Sequence, residues 1–304
     1  MRERLRSIVV LVMILTPACS GDDGARTTPP VAIDAAELET ISSHVSGVVL
    51  GHGDAWARAD VDAILAFWDD ETIHEDTGFN QLLTGEALFA MPDGFDADYP
   101  DFRWDHVDLF VSRDAAIDVT AGWGVTLKGI EFTEAEAMGE IDRIEVDADG
   151  TIGRWTIFYD LATWEVWRSP PFRLEDALRV IGSYEEAWES GDVEAVRSLY
   201  ASDAERRDTL LGTGGSVDDA ARFAAAFFEA YPAASLQPGV AFADSRQTSA
   251  RPGERVGSVF EIGLGPDESC SLRMAVLFEL DGDAITAEEV FWDPDSLVEC
   301  GWAE

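Results

Sequence analysis

Positive charge is what this 304-residue chain has least of: 21 Lys and Arg stand against 60 Asp and Glu, a formal net charge of −39. Such a field repels phosphate backbones and anionic lipid, which excludes nucleic acid and charge-driven membrane binding. Histidine is scarce, and His44, His52, His74 and His106 all fall in the first half. No His-x-x-x-His or His-x-His spacing occurs, so no metal site is expected. Cysteine is scarcer still, at three residues. With no Cys-x-x-Cys among them, zinc and redox catalysis lack support. Cys270 and Cys300 leave two readings open, a disulfide or two separate buried thiols. There is no Gly-rich phosphate loop, Gly-x-Ser-x-Gly elbow or Cys–His nucleophile pattern, and no Asp-x-Asp-x-Asp-Gly calcium loop. No cofactor is expected. The unbroken apolar run, Ile8 to Leu15, is far short of the roughly 20 residues of a membrane-spanning helix.

That run does fit a targeting segment. Arg2, Arg4 and Arg6 precede it, and Thr16, Pro17 and Ala18 lead to Cys19, the three-part layout of a secretory signal over residues 1–18. Leu15-Thr16-Pro17-Ala18-Cys19 resembles a bacterial lipobox, although Thr16 stands where Leu is usual. The resemblance implies that Cys19 is lipidated and becomes the mature N-terminus. Ordinary cleavage after Ala18, leaving a free thiol, is the rival. Both readings export the chain, and lipidation places it in the cell envelope, on the periplasmic or surface side of an outer membrane if the host has one. Loss of residues 1–18 removes three Arg and one Glu and leaves a net −41. Residues 19–35 are small, polar and Pro-rich, and are expected to be a tether.

Self-comparison divides the remainder. Ala55-Trp56-x-x-x-Asp60-Val61-x-Ala63-Ile64 returns as Ala187-Trp188-x-x-x-Asp192-Val193-x-Ala195-Val196, 132 residues later. Asp76 and Thr77 return as Asp208 and Thr209, and Tyr99-Pro100 as Tyr231-Pro232, at the same offset. Ile152, Phe158 and Asp160 return 133 residues later as Ile285, Phe291 and Asp293. This is the pattern of a duplication, with modules at 36–168 and 169–304 and a junction at Ser169-Pro170-Pro171, where two prolines forbid a continuous helix. Each half starts with helical spacing (Ile41, Val45, Val48, His52, Ala55, Trp56; Leu174, Ile181, Tyr184, Trp188). Asp60 and Asp192 read as N-caps of a second short helix, Gly191 as a helix–helix corner, and 85–91 and 217–230 as a third helix. Alternating strands follow, with Asp149-Gly150 and Asp281-Gly282 at hairpin turns. The fold class is α+β.

The residues Ala55-Trp56, Asp60-Val61, Phe67-Trp68-Asp69-Asp70, His74-Glu75-Asp76, Gly85, Asp149-Gly150-x-Ile152 and Phe158-Tyr159-Asp160-Leu161 resemble the nuclear transport factor 2 superfamily. The likeness is strongest to SnoaL-like polyketide cyclases, ketosteroid isomerase and limonene epoxide hydrolase. It implies two tandem cone-shaped modules, each of three helices packed on a curved antiparallel sheet around an interior pocket. The superfamily hosts isomerases, cyclases, hydrolases and plain binding proteins, so fold does not name function.

The resemblance to ketosteroid isomerase assigns a catalytic Tyr to the position of His52 and Tyr184, and a catalytic Asp to that of Asp76 and Asp208. A further Asp matches Asp142. There a carboxylate moves a proton beside a carbonyl while Tyr and a protonated Asp steady the enolate. Neither half keeps the whole set. The first has His52 for Tyr; the second has Val276 near the third position, and Arg206 can tie Asp208 into an ion pair that lowers its pKa. Chemistry is therefore expected in the first half, from Asp76, His74 and Asp142. The epoxide hydrolase likeness is poorer, because Ile157 stands where a water-activating Asp would be. Asp160 and Asp293 read as structural. The expected pocket residues are His52, Trp56 and Tyr159, joined by Tyr184 and Asp208 in the second half. Three readings follow: binding of a small apolar molecule, which is favoured; cofactor-free isomerase- or cyclase-type acid–base catalysis; and a structural or interaction role through pairing of domains or of two chains.

Overall fold

A computed structural model describes residues 29–78, 81–127, 130–160, 174–244, 254–265 and 270–303. The targeting segment, Cys19 and the Ser169-Pro170-Pro171 junction lie outside the described residues. The first half opens with α1 (Ala35–Ala57), capped by Asp34, whose carboxylate accepts from Glu37 N at 2.9 Å. α2 (Val61–Leu65) is capped by Asp60 through Ala63 N at 3.1 Å. Then come β1 (Ile73–Asp76), β2 (Gln81–Thr84), α3 (Gly85–Phe89), α4 (Met91–Asp98), β3 (Arg103–Val111) and β4 (Ala115–Trp123). A small β5–β6 ribbon (Thr126–Leu127, Ile130–Glu131) precedes β7 (Met138–Val146) and β8 (Ile152–Asp160). The second half runs α5 (Leu174–Glu189), α6 (Val193–Ser198), β9 (Tyr200–Arg207), β10 (Gly215–Ser216), α7 (Val217–Ala230), β11 (Ser235–Ala243), β12 (Glu254–Gly263), β13 (Ser271–Asp281), β14 (Ala284–Trp292) and α8 (Pro294–Glu299).

Strand order is the same in both halves. The first is β2-β1-β8-β7-β4-β3 and the second β10-β9-β14-β13-β12-β11. Neither sheet is wholly antiparallel as expected: β1 runs parallel to β8, and β9 parallel to β14. The early strand leaves a helix and returns beside the last strand, a connection long enough for parallel pairing. Expected β4, a strand to Leu127, stops at Trp123, because Gly124 turns with φ +84° and a Cβ there would lie 2.2 Å from the Asp101 carbonyl oxygen. The expected helix 85–91 is two helices, with Pro92 in the first turn of the second. Ile33, assigned to the tether, is buried and donates its N–H to Trp302 O at 2.9 Å, so the chain is already docked before α1.

The two sheets also join. β11 pairs with β8 (Phe242 opposite Asp160, Ala243 opposite Tyr159), and β14 meets β3 (Trp292 opposite Val111). The sheet thereby closes on itself as a barrel-like ring. One face of it carries the helices. The other encloses a second core, with Phe110, Ile117, Val119, Ile141 and Phe158 from the first half against Phe242, Val259, Leu277 and Phe291 from the second. Two cones with wholly separate cores were expected; the structure has a core shared between them. The cause is strand alternation, which puts apolar residues on both faces of the central strands and so leaves a face that water cannot cover. Cys270 and Cys300 are joined in a disulfide that ties the start of β13 to the end of α8 (Cα–Cα 5.6 Å).

Candidate functional site

In the first half α1, α4, β1, β3, β7 and β8 enclose a cavity of about 300 Å³. Periodicity explains its walls. His52 and Trp56 are one helical turn apart on the buried stripe of α1. His74 and Asp76 alternate with Glu75 on β1, and the parallel register sets His74 beside Trp155 and Asp76 beside Ile157. Across the β7–β8 ladder Glu140 faces Tyr159 and Asp142 faces Ile157. Trp56, His74, Asp76, Glu140, Trp155 and Tyr159 line the cavity, and α4 adds Phe95, Asp98 and Tyr99.

Two of the expected site residues sit one layer behind. His52 is buried and accepts from Trp56 Nε1 at 3.0 Å, so in the neutral ring the proton is on Nδ1. Asp142 is buried and accepts from Trp155 Nε1 at 2.7 Å, while its Oδ2 has no partner. Both therefore act on the cavity through an indole. Burial, and then the neighbouring His74, lower His52 to about 3; burial alone lowers His74 to about 3. Both rings are neutral at ordinary pH. The His74 ring lies 4.4 Å from Trp155, and its buried Nδ1 has no partner.

Acid groups dominate the chamber. The Tyr159 hydroxyl donates to Asp76, 3.2 Å from each oxygen. Gly78 makes that approach possible, since a Cβ there would lie 2.2 Å from the Tyr159 ring. Burial, and then the charge of Asp76, push Glu140 up to about 8. Asp142 is pushed well above the carboxylate range by burial first, then by Glu140, Asp118 and Asp76, with the Trp155 hydrogen bond opposing. A carboxylate at Asp76 beside protonated Glu140 and Asp142 can take up a proton and present donors to a nearby oxygen. Glu140 was missed by sequence reading. The alternation that exposed Asp142 places it on the same face two residues earlier, but no family position pointed to it.

The remaining histidines lie elsewhere. His44 Nε2 is 3.1 Å from Asp147 O, and half-buried His106 makes a 2.5 Å hydrogen bond to Asp118 that raises its pKa. Among the described residues no three His, Cys, Asp or Glu side chains are grouped to hold a metal ion, and no helix is long and apolar enough to cross a membrane.

The equivalent place in the second half is solid. Arg206 stands 132 positions after His74, and Glu288 stands 133 after Trp155. The Arg206 guanidinium bonds Glu288 at 3.1 Å, Asp208 at 3.4 Å and Thr213 O at 3.0 Å. Tyr184 and Tyr200 donate to the two oxygens of Glu288 at 2.8 and 2.7 Å. Asp208 also accepts from Leu211 N, Thr213 Oγ1 and Trp292 Nε1. Burial works against the Arg206 charge, but Glu288 and then Asp208 more than offset it. Tyr184 and Asp208, expected in a ligand pocket, are thus consumed by this network. The Arg206–Asp208 contact anticipated in the sequence is present; Glu288, its main partner, was not anticipated.

Residues 180–288 match the family described as SnoaL-like domain. The second half holds a SnoaL-like domain. Solved structures similar to the chain include a SnoaL-like protein of unknown function from Burkholderia thailandensis (18% identity, 38% of this chain and 95% of that one, TM-score 0.32). Others are a candidate polyketide cyclase from Sinorhizobium meliloti (18%, 36% and 93%, 0.31) and an NTF2-like protein of unknown function from Cytophaga hutchinsonii (10%, 39% and 91%, 0.30). None of the curated proteins matches the sequence. The SnoaL-like match falls on the half whose interior is filled by the Arg206 network, while the cavity lies outside it.

Proposed function

We propose that the chain binds a small, largely apolar molecule in the first-half cavity. The observation that carries this is the chamber itself: about 300 Å³ walled by aromatic side chains, with a few convergent polar groups, the usual make-up of a small-molecule site. The test is native mass spectrometry of the purified protein after incubation with a metabolite extract. Retention of a small molecule that Trp56→Ala releases supports the reading; an empty protein under every condition overturns it.

The second reading is proton transfer beside a carbonyl. It is favoured by one arrangement, the Asp76 carboxylate held by Tyr159 next to a Glu140 that burial keeps protonated. Asp76 would be the base, and Glu140 with Asp142 the donors to a developing enolate. His74, neutral and against Trp155, shapes the wall. Solvent deuterium should then enter the α-carbon of a bound apolar ketone, and Asp76→Asn should abolish that exchange. Exchange unchanged in Asp76→Asn removes the catalytic reading and leaves binding.

Shared strand order and the constant sequence offset support a tandem pair of SnoaL-like modules, the second a structural partner for the first. The N-terminal pattern supports export with lipid attachment at Cys19 in the cell envelope, and the Cys270–Cys300 disulfide fits an oxidising compartment.

A further inference from the structure

We propose that the ligand of the first-half cavity is a positively charged amine, an ammonium ion carried on an apolar or aromatic body. The inference rests on the cavity being the ligand site. Its first support is the wall, where Trp56, Phe95, Tyr99, Trp104 and Trp155 surround the space. These rings also hold one another, with Trp56 and Phe95 at 5.6 Å and Trp104 stacked on Trp155 at 6.0 Å. Aromatic faces are negative and attract a cation, the more so when water is excluded.

Charge is the second support. Among the described residues the cavity wall has no Lys or Arg, and its ionisable groups besides tyrosine are Asp76, Asp98, Glu140 and neutral His74. An anionic ligand would be desolvated there without a counter-charge. The net charge of −39 also raises the local concentration of cations. The third support is the His74 Nδ1, buried, unpartnered and on the cavity wall. An ammonium N–H can meet it in the tautomer whose Nδ1 is unprotonated.

Glu140 gives the inference a signature. It faces Asp142 on β7, Asp118 and Thr120 on β4, Tyr159 on β8, and Asp76 with His74 on β1, with Asp98 and Tyr99 on α4 across the cavity. None of these brings positive charge at neutral pH. A cation entering beside Glu140 favours its carboxylate, so binding expels the carboxyl proton and strengthens as pH rises. A neutral ligand with an acceptor oxygen needs Glu140 protonated and shows the opposite slope.

The probes are benzyltrimethylammonium, whose charge does not titrate, and neopentylbenzene, its uncharged carbon isostere. Affinity for the full-length protein is read by tryptophan fluorescence and calorimetry at pH 6.5 and 8.5. The charged probe is expected to bind at least about tenfold tighter than the isostere at pH 8.5. It should also tighten about tenfold from pH 6.5 to 8.5 and release protons when titrated in two buffers at pH 7. Glu140→Gln should abolish the proton release and the pH slope while still binding the isostere. Equal or tighter binding of the isostere, or a charged probe that weakens as pH rises, overturns the amine and leaves a site for neutral ligands. If neither probe binds, the cavity reading fails and the amine with it.

Discussion

At the scale of single residues, Glu140 and the two buried histidines give the fold a pH dependence of definite sign. Glu140 is raised from its ordinary 4.5 to about 8. Its contribution to stability is complete below pH 4.5 and is lost as pH rises towards 8, because the folded chain keeps a proton that the unfolded chain has released. His52 and His74, lowered from 6.5 to about 3, act the other way. Their contribution is complete above pH 6.5 and is lost as pH falls through 3. The two effects oppose each other between about 4.5 and 6.5; from 6.5 to 8 the buried acids act alone. Tm is therefore expected to fall between pH 6.5 and 8 and then level off, with Glu140→Gln removing most of the fall. A thermal profile flat over that window, or indifferent to the substitution, contradicts the environment assigned to Glu140. Trp56, His74, Asp76 and Tyr159 were legible beforehand because helix and strand periods put them on one face. Phe95 and Tyr99 were not. Their helix is short and acidic, and only its packing across the cone brings them over the cavity.

Among the elements, the helix corners show how local chemistry and strain differ between the halves. Gly191 turns the corner between α5 and α6 with φ +64°; Ala59, 132 positions earlier, makes the same left-handed turn between α1 and α2 with φ +50°. A Cβ is strained there, by about 1–2 kcal/mol. Ala59→Gly is expected to raise stability by about 0.5–1 kcal/mol after the extra freedom of an unfolded glycine is deducted. Urea denaturation measures it, and destabilisation would mean the corner is not left-handed. The disulfide offers a second check. It closes 30 residues of sequence between β13 and α8, so the chain-entropy relation assigns it about 3–4 kcal/mol. Reduction should lower Tm by several degrees, and Cys300→Ser should match the reduced protein. An unchanged Tm on reduction would count against the bond. The sequence could not decide this pairing, since cysteine spacing says nothing about how close two strands of a sheet bring their ends. Helix caps and hairpin turns were legible because Asp60, Asp192, Gly150 and Gly282 act within a few residues of themselves.

For the molecule as a whole, the closed ring decides what each half can do alone. Phe110, Ile117 and Phe158 would be bared in an isolated first half, and Phe242, Leu277 and Phe291 in an isolated second. Ion pairs cross as well: Arg143 grips Glu289 through two bonds of 2.7 and 2.8 Å, and Arg255 reaches Glu75 at 3.1 Å. Either half expressed by itself is expected to self-associate or stay partly unfolded, and the two co-expressed should copurify one to one. Monomeric, cooperatively folded halves in the ultracentrifuge would refute this. The duplication was legible because its register holds over some 130 residues; the shared core was not, since an apolar strand face looks the same whatever covers it. Anchoring is the remaining test at this scale. Cys19→Ala should leave an unlipidated soluble protein or an uncleaved precursor, and a correctly cleaved mutant still entering the detergent phase would end the lipoprotein reading.

The solid second half has a further consequence. Two identical subunits that meet through their sheets must be hollow together or filled together. Here the partner is covalently attached, cannot be diluted away, and is free to differ, so one half can serve as a permanent splint for the other. Injury would then travel in one direction. A defect at Arg206, which bonds nothing in the first half, should loosen the splint and let ligand escape from a chamber in the opposite half of the chain.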